Sequence, residues 1–191
     1  MRILTTFWPI AGALTVATGS RAAGQAAASD WPAYGHDAGG SRYSPLGQIT
    51  GANVAGLQLA WVYRTGDMLA ARGRFETTPI VVDGTLYLST SLDRVVALDP
   101  VTGSERWVFD PHIDLRGDYG DFASRGVSTW LDPRAAPGAV CRRRIYIGTV
   151  DARLIALDAT SGKPCEDFGG HGSVTLIGVS RADLMTVELF V

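Results

Sequence analysis

Few residues in this chain of 191 combine a reactive side chain with a spacing that would let it act. The two cysteines, Cys141 and Cys165, could close a disulfide or stand as unrelated thiols; they lack the Cys-x-x-Cys spacing of thiol redox catalysts. His112 and His171 follow a proline and a glycine, without Cys or carboxylate partners at ligand spacing, which favours a surface role over metal binding. Arg142-Arg143-Arg144 is the one basic run, and a solvated strand edge explains it better than phosphate binding. Arg125 carries a planar guanidinium suited to carboxylates, yet Asp118 and Asp121 are near enough in sequence to pair with it and pin a loop. Taken alone, Glu76 reads as a solvated loop carboxylate and Thr149 as an ordinary strand residue.

The elements that must position these groups come from a repeat. The register that sets Leu98 on Leu157 also sets Tyr87 on Tyr146, Thr90 on Thr149, Asp99 on Asp158 and Gly103 on Gly162. In each copy a short apolar run rich in β-formers (86–88, 145–147) is followed by a second one (95–98, 154–157), which predicts an antiparallel hairpin. An Asp…Gly turn ends each copy, the Asp able to bond the backbone and the Gly free to take positive φ. Residues 105–109, with Trp107, predict a third strand. Short strands, a recurring turn and a closing Trp form the pattern of a β-propeller blade. Cys141 precedes the first strand of the second copy and Cys165 follows its turn, so an antiparallel arrangement could bring the two together and close a loop.

Outside the repeat, residues 31–50 are rich in Gly and Pro with little apolar period and read as an irregular segment covering the fold. The alternation at 58–63, with Trp61 placed much like Trp107, predicts an outer blade strand; 64–75 reads as a loop. Asp83-Gly84 between two apolar runs is a strong hairpin signal. Residues 111–125 form a long glycine-bearing stretch, uncommon without a purpose, and 127–131 predict a further strand. A net charge of −2 with 46% hydrophobic residues suits a globular domain and gives no pull toward nucleic acid. At about 40–50 residues per blade, the chain supplies two to three blades, while closed rings need roughly four to eight.

Residues 1–28 have the form of a secretory signal peptide: Met1-Arg2, a broken apolar stretch over 3–17, and Ala26-Ala27-Ala28 as a small-residue cleavage site. The apolar part falls short of the ~20 residues that span a bilayer. The expected location is the periplasm or the exterior, where a Cys141–Cys165 disulfide would persist.

With the order of motifs in view, the chain resembles the pyrroloquinoline-quinone (PQQ) dependent dehydrogenases, most nearly the glucose dehydrogenase-like branch. The likeness rests on Asp30-Trp31-Pro32-Ala33-Tyr34-Gly35, Ser41-Arg42-Tyr43-Ser44-Pro45-Leu46, Ala60-Trp61-Val62-Tyr63-Arg64-Thr65-Gly66-Asp67, Glu76-Thr77-Thr78-Pro79, Ser124-Arg125-Gly126-Val127 and Cys141-Arg142-Arg143-Arg144-Ile145-Tyr146. It implies an all-β chain: a partial β-propeller, two to three antiparallel four-stranded blades of an eight-bladed quinoprotein ring, at residues 29–172. Residues 173–191 are expected to be a truncated or divergent tail. The resemblance further implies PQQ and Ca²⁺ on the ring axis, an alcohol or sugar as substrate, and a quinone or cytochrome as electron acceptor. Arg125 matches the family's cofactor-contacting arginine, Glu76 the acid that lines the same site, and Thr149 is a candidate hydroxyl donor. The adjacent cysteines of methanol and ethanol dehydrogenases are missing; Gly117 to Phe122 stand there, with Tyr119 or Phe122 as possible aromatic faces. The calcium ligands and the general base belong to later blades in the family, so the expected role is an N-terminal portion, inactive alone. A periplasmic binding or assembly module built from the same repeat is the alternative.

Overall fold

The computed structural model describes residues 29–67 and 73–176, so residues 1–28, read as a signal peptide, and those beyond 176 lie outside it. Ten strands follow in order: β1 (Gly73–Thr78), β2 (Ile80–Val82), β3 (Thr85–Ser89), β4 (Val95–Leu98), β5 (Glu105–Phe109), β6 (Phe122–Gly126), β7 (Ser128–Leu131), β8 (Arg143–Gly148), β9 (Arg153–Asp158) and β10 (Ser173–Thr175). Two four-stranded antiparallel meanders result, β2-β3-β4-β5 and β7-β8-β9-β10, each a propeller blade. The Asp83-Gly84 hairpin forms with both residues left-handed, φ 49° and 67°, the two-residue geometry whose twist matches the flanking strands. The chain is thus a partial β-propeller, and the first residues of the predicted tail, as β10, supply the outer strand of its second blade.

The blades pack face to face because each central strand is apolar on both sides. From β4, Val95 and Ala97 join Ile80, Val82 and Tyr87 against Ile145, Ile147, Ile155 and Leu157 of the second blade. Val96 and Leu98 turn to the opposite face, under Trp61 and Tyr63. That alternation of burial by twos is what a strand sandwiched between two layers requires.

Both blades are closed by the same device. Trp61 lies over Gly103 and donates its indole N–H to the Pro100 carbonyl at 3.2 Å. Trp107 lies over Gly162 and donates to the Ala159 carbonyl at 3.0 Å, so β5 of the first blade locks the turn of the second. Asp99 and Asp158 cap these turns, accepting backbone N–H groups from Val101 and Thr102, and from Thr160 and Ser161. The Arg106 guanidinium and those N–H groups hold the Asp99 carboxyl down at about 2.

Three expectations need correction. The alternation at 58–63 predicts a strand, but none forms; Trp61 and Tyr63 pack onto the blade while Leu59 and Val62 face outward. A strand needs a second backbone to pair with, and no described residue offers one there. Tyr63 instead donates its phenol to Glu105 at 2.7 Å, and burial together with that carboxylate pushes it up to about 12. Secondly, the loops at 64–75 and 111–125 do not run to their ends as loops, since β1 begins at Gly73 and β6 at Phe122, paired in parallel. Thirdly, the arginine run is not a freely solvated edge. Arg143 bonds Asp83 of the first blade at 2.9 Å, Arg144 bonds Asp167 at 2.6 Å and stacks on Trp130, and Arg142 donates to the Ala135 carbonyl.

Candidate functional site

The parallel pair β1–β6 packs against β3 and carries two of the three residues singled out from sequence. Its register aligns Phe75 with Ser124 and Thr78 with Gly126, so Glu76 and Thr77 together oppose Arg125. Two residues against one is a β-bulge, a device that re-aims side chains and is common beside active sites. Here it brings the Glu76 carboxylate to 3.4 Å from the Arg125 guanidinium. Arg125 therefore pairs with neither Asp118 nor Asp121; Asp121 takes Arg74 at 2.9 Å. The Arg125 side chain remains 87% exposed and Glu76 38% exposed, so most of the guanidinium's donors face outward.

The glycine after Arg125 is what allows this approach. Gly126 adopts φ 134°, and a Cβ there would stand 2.8 Å from the Thr78 carbonyl oxygen. We expect Gly126→Ala to push β6 off β1 and lower stability by about 2 kcal/mol. Loss of the close Glu76–Arg125 approach should show as a changed Arg125 side-chain resonance in arginine-labelled protein.

Beneath the outward pair, alternate residues of the same strands turn inward. The Ser124 and Ser89 hydroxyls lie 2.8 Å apart, those of Thr77 and Ser89 3.1 Å apart, and the Ser89 N–H donates to Thr77 Oγ1. Sequence reading placed Gly126 in the motif with Arg125 but gave neither its close approach to β1 nor this hydroxyl cluster, because short polar strands show no apolar period. Beside Arg125 a cleft of about 290 Å³ opens, with Tyr34, Ser128, Tyr146 and Gly148 on its walls.

Thr149 follows Gly148 in the β8–β9 turn but its hydroxyl has local work. It accepts the Arg153 N–H at 3.1 Å and donates to Asp151, and Thr90 accepts the Arg94 N–H in the equivalent turn of the first blade. Among the aromatic candidates, Phe122 is fully buried with Tyr119 set edge-on against it, so Phe122 offers no face to a ligand. Cys141 and Cys165 form a disulfide. These sulfurs and Asp167 are the only grouping of potential metal ligands among the described residues, and a disulfide sulfur is a poor ligand. His112 and His171 are exposed beside Asp110 and Glu166, respectively.

Comparison with known proteins gives a single answer. The family described as glucose/ethanol/alcohol dehydrogenase, β-propeller domain, PQQ type, matches residues 31–186. Quinoprotein glucose dehydrogenase A of Acinetobacter calcoaceticus is 38% identical over 165 residues, covering 78% of this chain and 21% of its own length. Quinoprotein glucose dehydrogenase of Escherichia coli is 41% identical over 169 residues, covering 84% and 21%. The crystal structure of quinohemoprotein alcohol dehydrogenase from Comamonas testosteroni aligns with a TM-score of 0.58 at 40% identity, over 76% of this chain and 21% of that one. The chain thus belongs to the PQQ-dependent glucose/ethanol/alcohol dehydrogenase β-propeller family and spans about a fifth of the length of these relatives.

Proposed function

We propose that this chain forms one wall of the cofactor site of a PQQ-dependent dehydrogenase that oxidises an alcohol or a sugar, glucose-like substrates being the nearest class. The observation that carries the reading is the Glu76–Arg125 pair, formed at a bulge, with Arg125 at the lip of the cleft. PQQ, an ortho-quinone bearing three carboxylates, supplies a two-electron acceptor when bound. The donor set fits a rim position for it. Arg125 presents a planar fork suited to a carboxylate or a quinone oxygen, and Glu76 orients that fork. Thr149 can contribute a hydroxyl only by giving up Asp151. Calcium ligands, the base and the substrate contacts would come from segments outside this chain, and a quinone or a cytochrome would take the electrons. The segment at 1–28 and the formed disulfide both support a periplasmic or secreted setting.

The test is a chimera in which residues 29–176 replace the matching fifth of the Comamonas testosteroni enzyme, titrated with PQQ by calorimetry. Arg125→Ala should weaken binding by about tenfold or more, the worth of a charge-assisted hydrogen bond, and Glu76→Gln by less. Equal affinity in all three proteins would overturn the assignment.

A further inference from the structure

The β1–β6 pair depends on an anchor beneath it. Two short parallel strands interrupted by a bulge are marginal alone, since parallel pairing is the weaker kind and two strands bury little. Ser89, the last residue of β3, is fully buried and held in register opposite Val95 of β4. Its Oγ accepts the Ser124 hydroxyl of β6 at 2.8 Å and lies 3.1 Å from Thr77 Oγ1 of β1. The β2–β3 ladder ends where Ile80 opposes Tyr87, and two residues further along β3 the Ser89 N–H donates to Thr77 Oγ1 at 3.3 Å. One residue of a packed blade thus bonds both strands. Thr77 directly follows Glu76, and Ser124 directly precedes Arg125. Strand alternation turns Thr77 and Ser124 inward while Glu76 and Arg125 face outward. We propose that Ser89 is a positioning residue, whose hydroxyl and N–H hold β1 and β6 in the bulged register that sets Glu76 against Arg125. The effect on PQQ rests on the proposed function; the positioning of the pair does not.

Blade geometry does not require this hydroxyl. In the second blade Gly148 holds the place of Ser89, preceding Thr149 as Ser89 precedes Thr90, and both threonines accept the N–H of the arginine that opens the next strand segment. Gly148 is exposed and lines the cleft, whereas Ser89 lies in the blade that β1 and β6 pack against. Burying a hydroxyl is unfavourable unless it is bonded, so a glycine or an apolar residue would serve the strand alone better. The bonds that repay the burial run to β1 and β6. Without the Ser89 side chain, Ser124 loses its bond to β3 and Thr77 keeps only the one from the Ser89 N–H. The departure from the repeat, Ser89 where the other copy has Gly148, is the signal in the sequence that could have revealed it.

The experiment compares wild type, Ser89→Ala, Thr77→Val and Thr77→Ser in the same chimera, and Ser89→Ala also combined with Arg125→Ala. It reads the Arg125 Nε–H resonance without ligand, assigned by its loss in Arg125→Ala, together with PQQ affinity and Tm. We expect Ser89→Ala and Thr77→Val to shift or broaden that resonance and to weaken PQQ by about fivefold, while Thr77→Ser, which keeps the oxygen, stays near wild type in both. In the Arg125→Ala background Ser89→Ala should weaken PQQ by about twofold at most, because it acts through the arginine. A merely structural residue would lose Tm and leave the Arg125 resonance and PQQ affinity of the folded protein unchanged, and that result overturns the proposal. An equal loss of affinity with and without Arg125 overturns it too. Should Ser89→Ala fail to fold, the two Thr77 variants decide, since valine keeps the side-chain shape and removes the oxygen that takes the Ser89 bonds. A shifted Arg125 resonance with PQQ binding absent or unchanged throughout would uphold the positioning role and refute the proposed function.

Discussion

Gly162→Ala is expected to cost about 3 kcal/mol of stability, the sum of a left-handed backbone penalty and overpacking against an indole. Gly162 sits at φ 70°, where an L side chain is strained, and its added Cβ would fall 2.5 Å from Trp107 Cε3. Neither group can yield cheaply. Trp107 is held by its bond to the Ala159 carbonyl, which also accepts the Tyr87 hydroxyl at 3.0 Å, and Tyr87 packs against the Trp107 ring. Gly84→Ala separates the two contributions, because Gly84 has φ 67° and open space around its missing Cβ. It should cost about 1 kcal/mol, the conformational part alone. Denaturation midpoints check the pair. The interlock is wrong if the two variants fall equally, and right if Trp107→Ala combined with Gly162→Ala costs far less than the sum of the single changes.

This interlock also shows what the sequence could and could not reveal. The repeat made the central strands readable, since Leu86 to Leu88 and Ile145 to Ile147 had to be buried on two faces and were apolar throughout. The turns were readable because Asp99 and Asp158 cap them by local bonds within three residues. Non-local pairing left no such trace. Nothing in Arg74-Phe75-Glu76 or Ser124-Arg125-Gly126 announces a parallel ladder, because strands this short and polar lack a hydrophobic period and find each other only across the folded blade. Arg125 and Glu76 were visible as motif residues. Their mutual contact and the bulge that creates it follow from tertiary geometry alone.

The second large effect expected is from the disulfide: reducing Cys141–Cys165, or replacing both by Ser, should lower stability by about 3 kcal/mol for a loop of this size. The bond joins residues 24 apart in sequence and clamps the entry of β8 to the turn that follows β9. That face of the second blade is thinly packed, with Ala156 the one other buried apolar residue and Tyr146 and Phe168 only partly covered. A covalent tie therefore carries what a large apolar cluster does on the opposite face. The loss should exceed the entropy of the loop, since Cys141 also donates its N–H to the buried Asp158 at 2.6 Å. Burial alone would raise the Asp158 carboxyl, yet the Cys141 N–H and the Ser161 hydroxyl and N–H hold it below its usual value. A carboxylate lowered in this way stabilises the fold above about pH 4 and ceases to as pH falls through its folded value. If reduction frees Cys141 to move, part of that support disappears at neutral pH as well, and the acid-induced drop in Tm becomes shallower. Thermal melts with and without reductant, at neutral and acid pH, measure both consequences; identical melts in the two redox states would show that the tie carries no load.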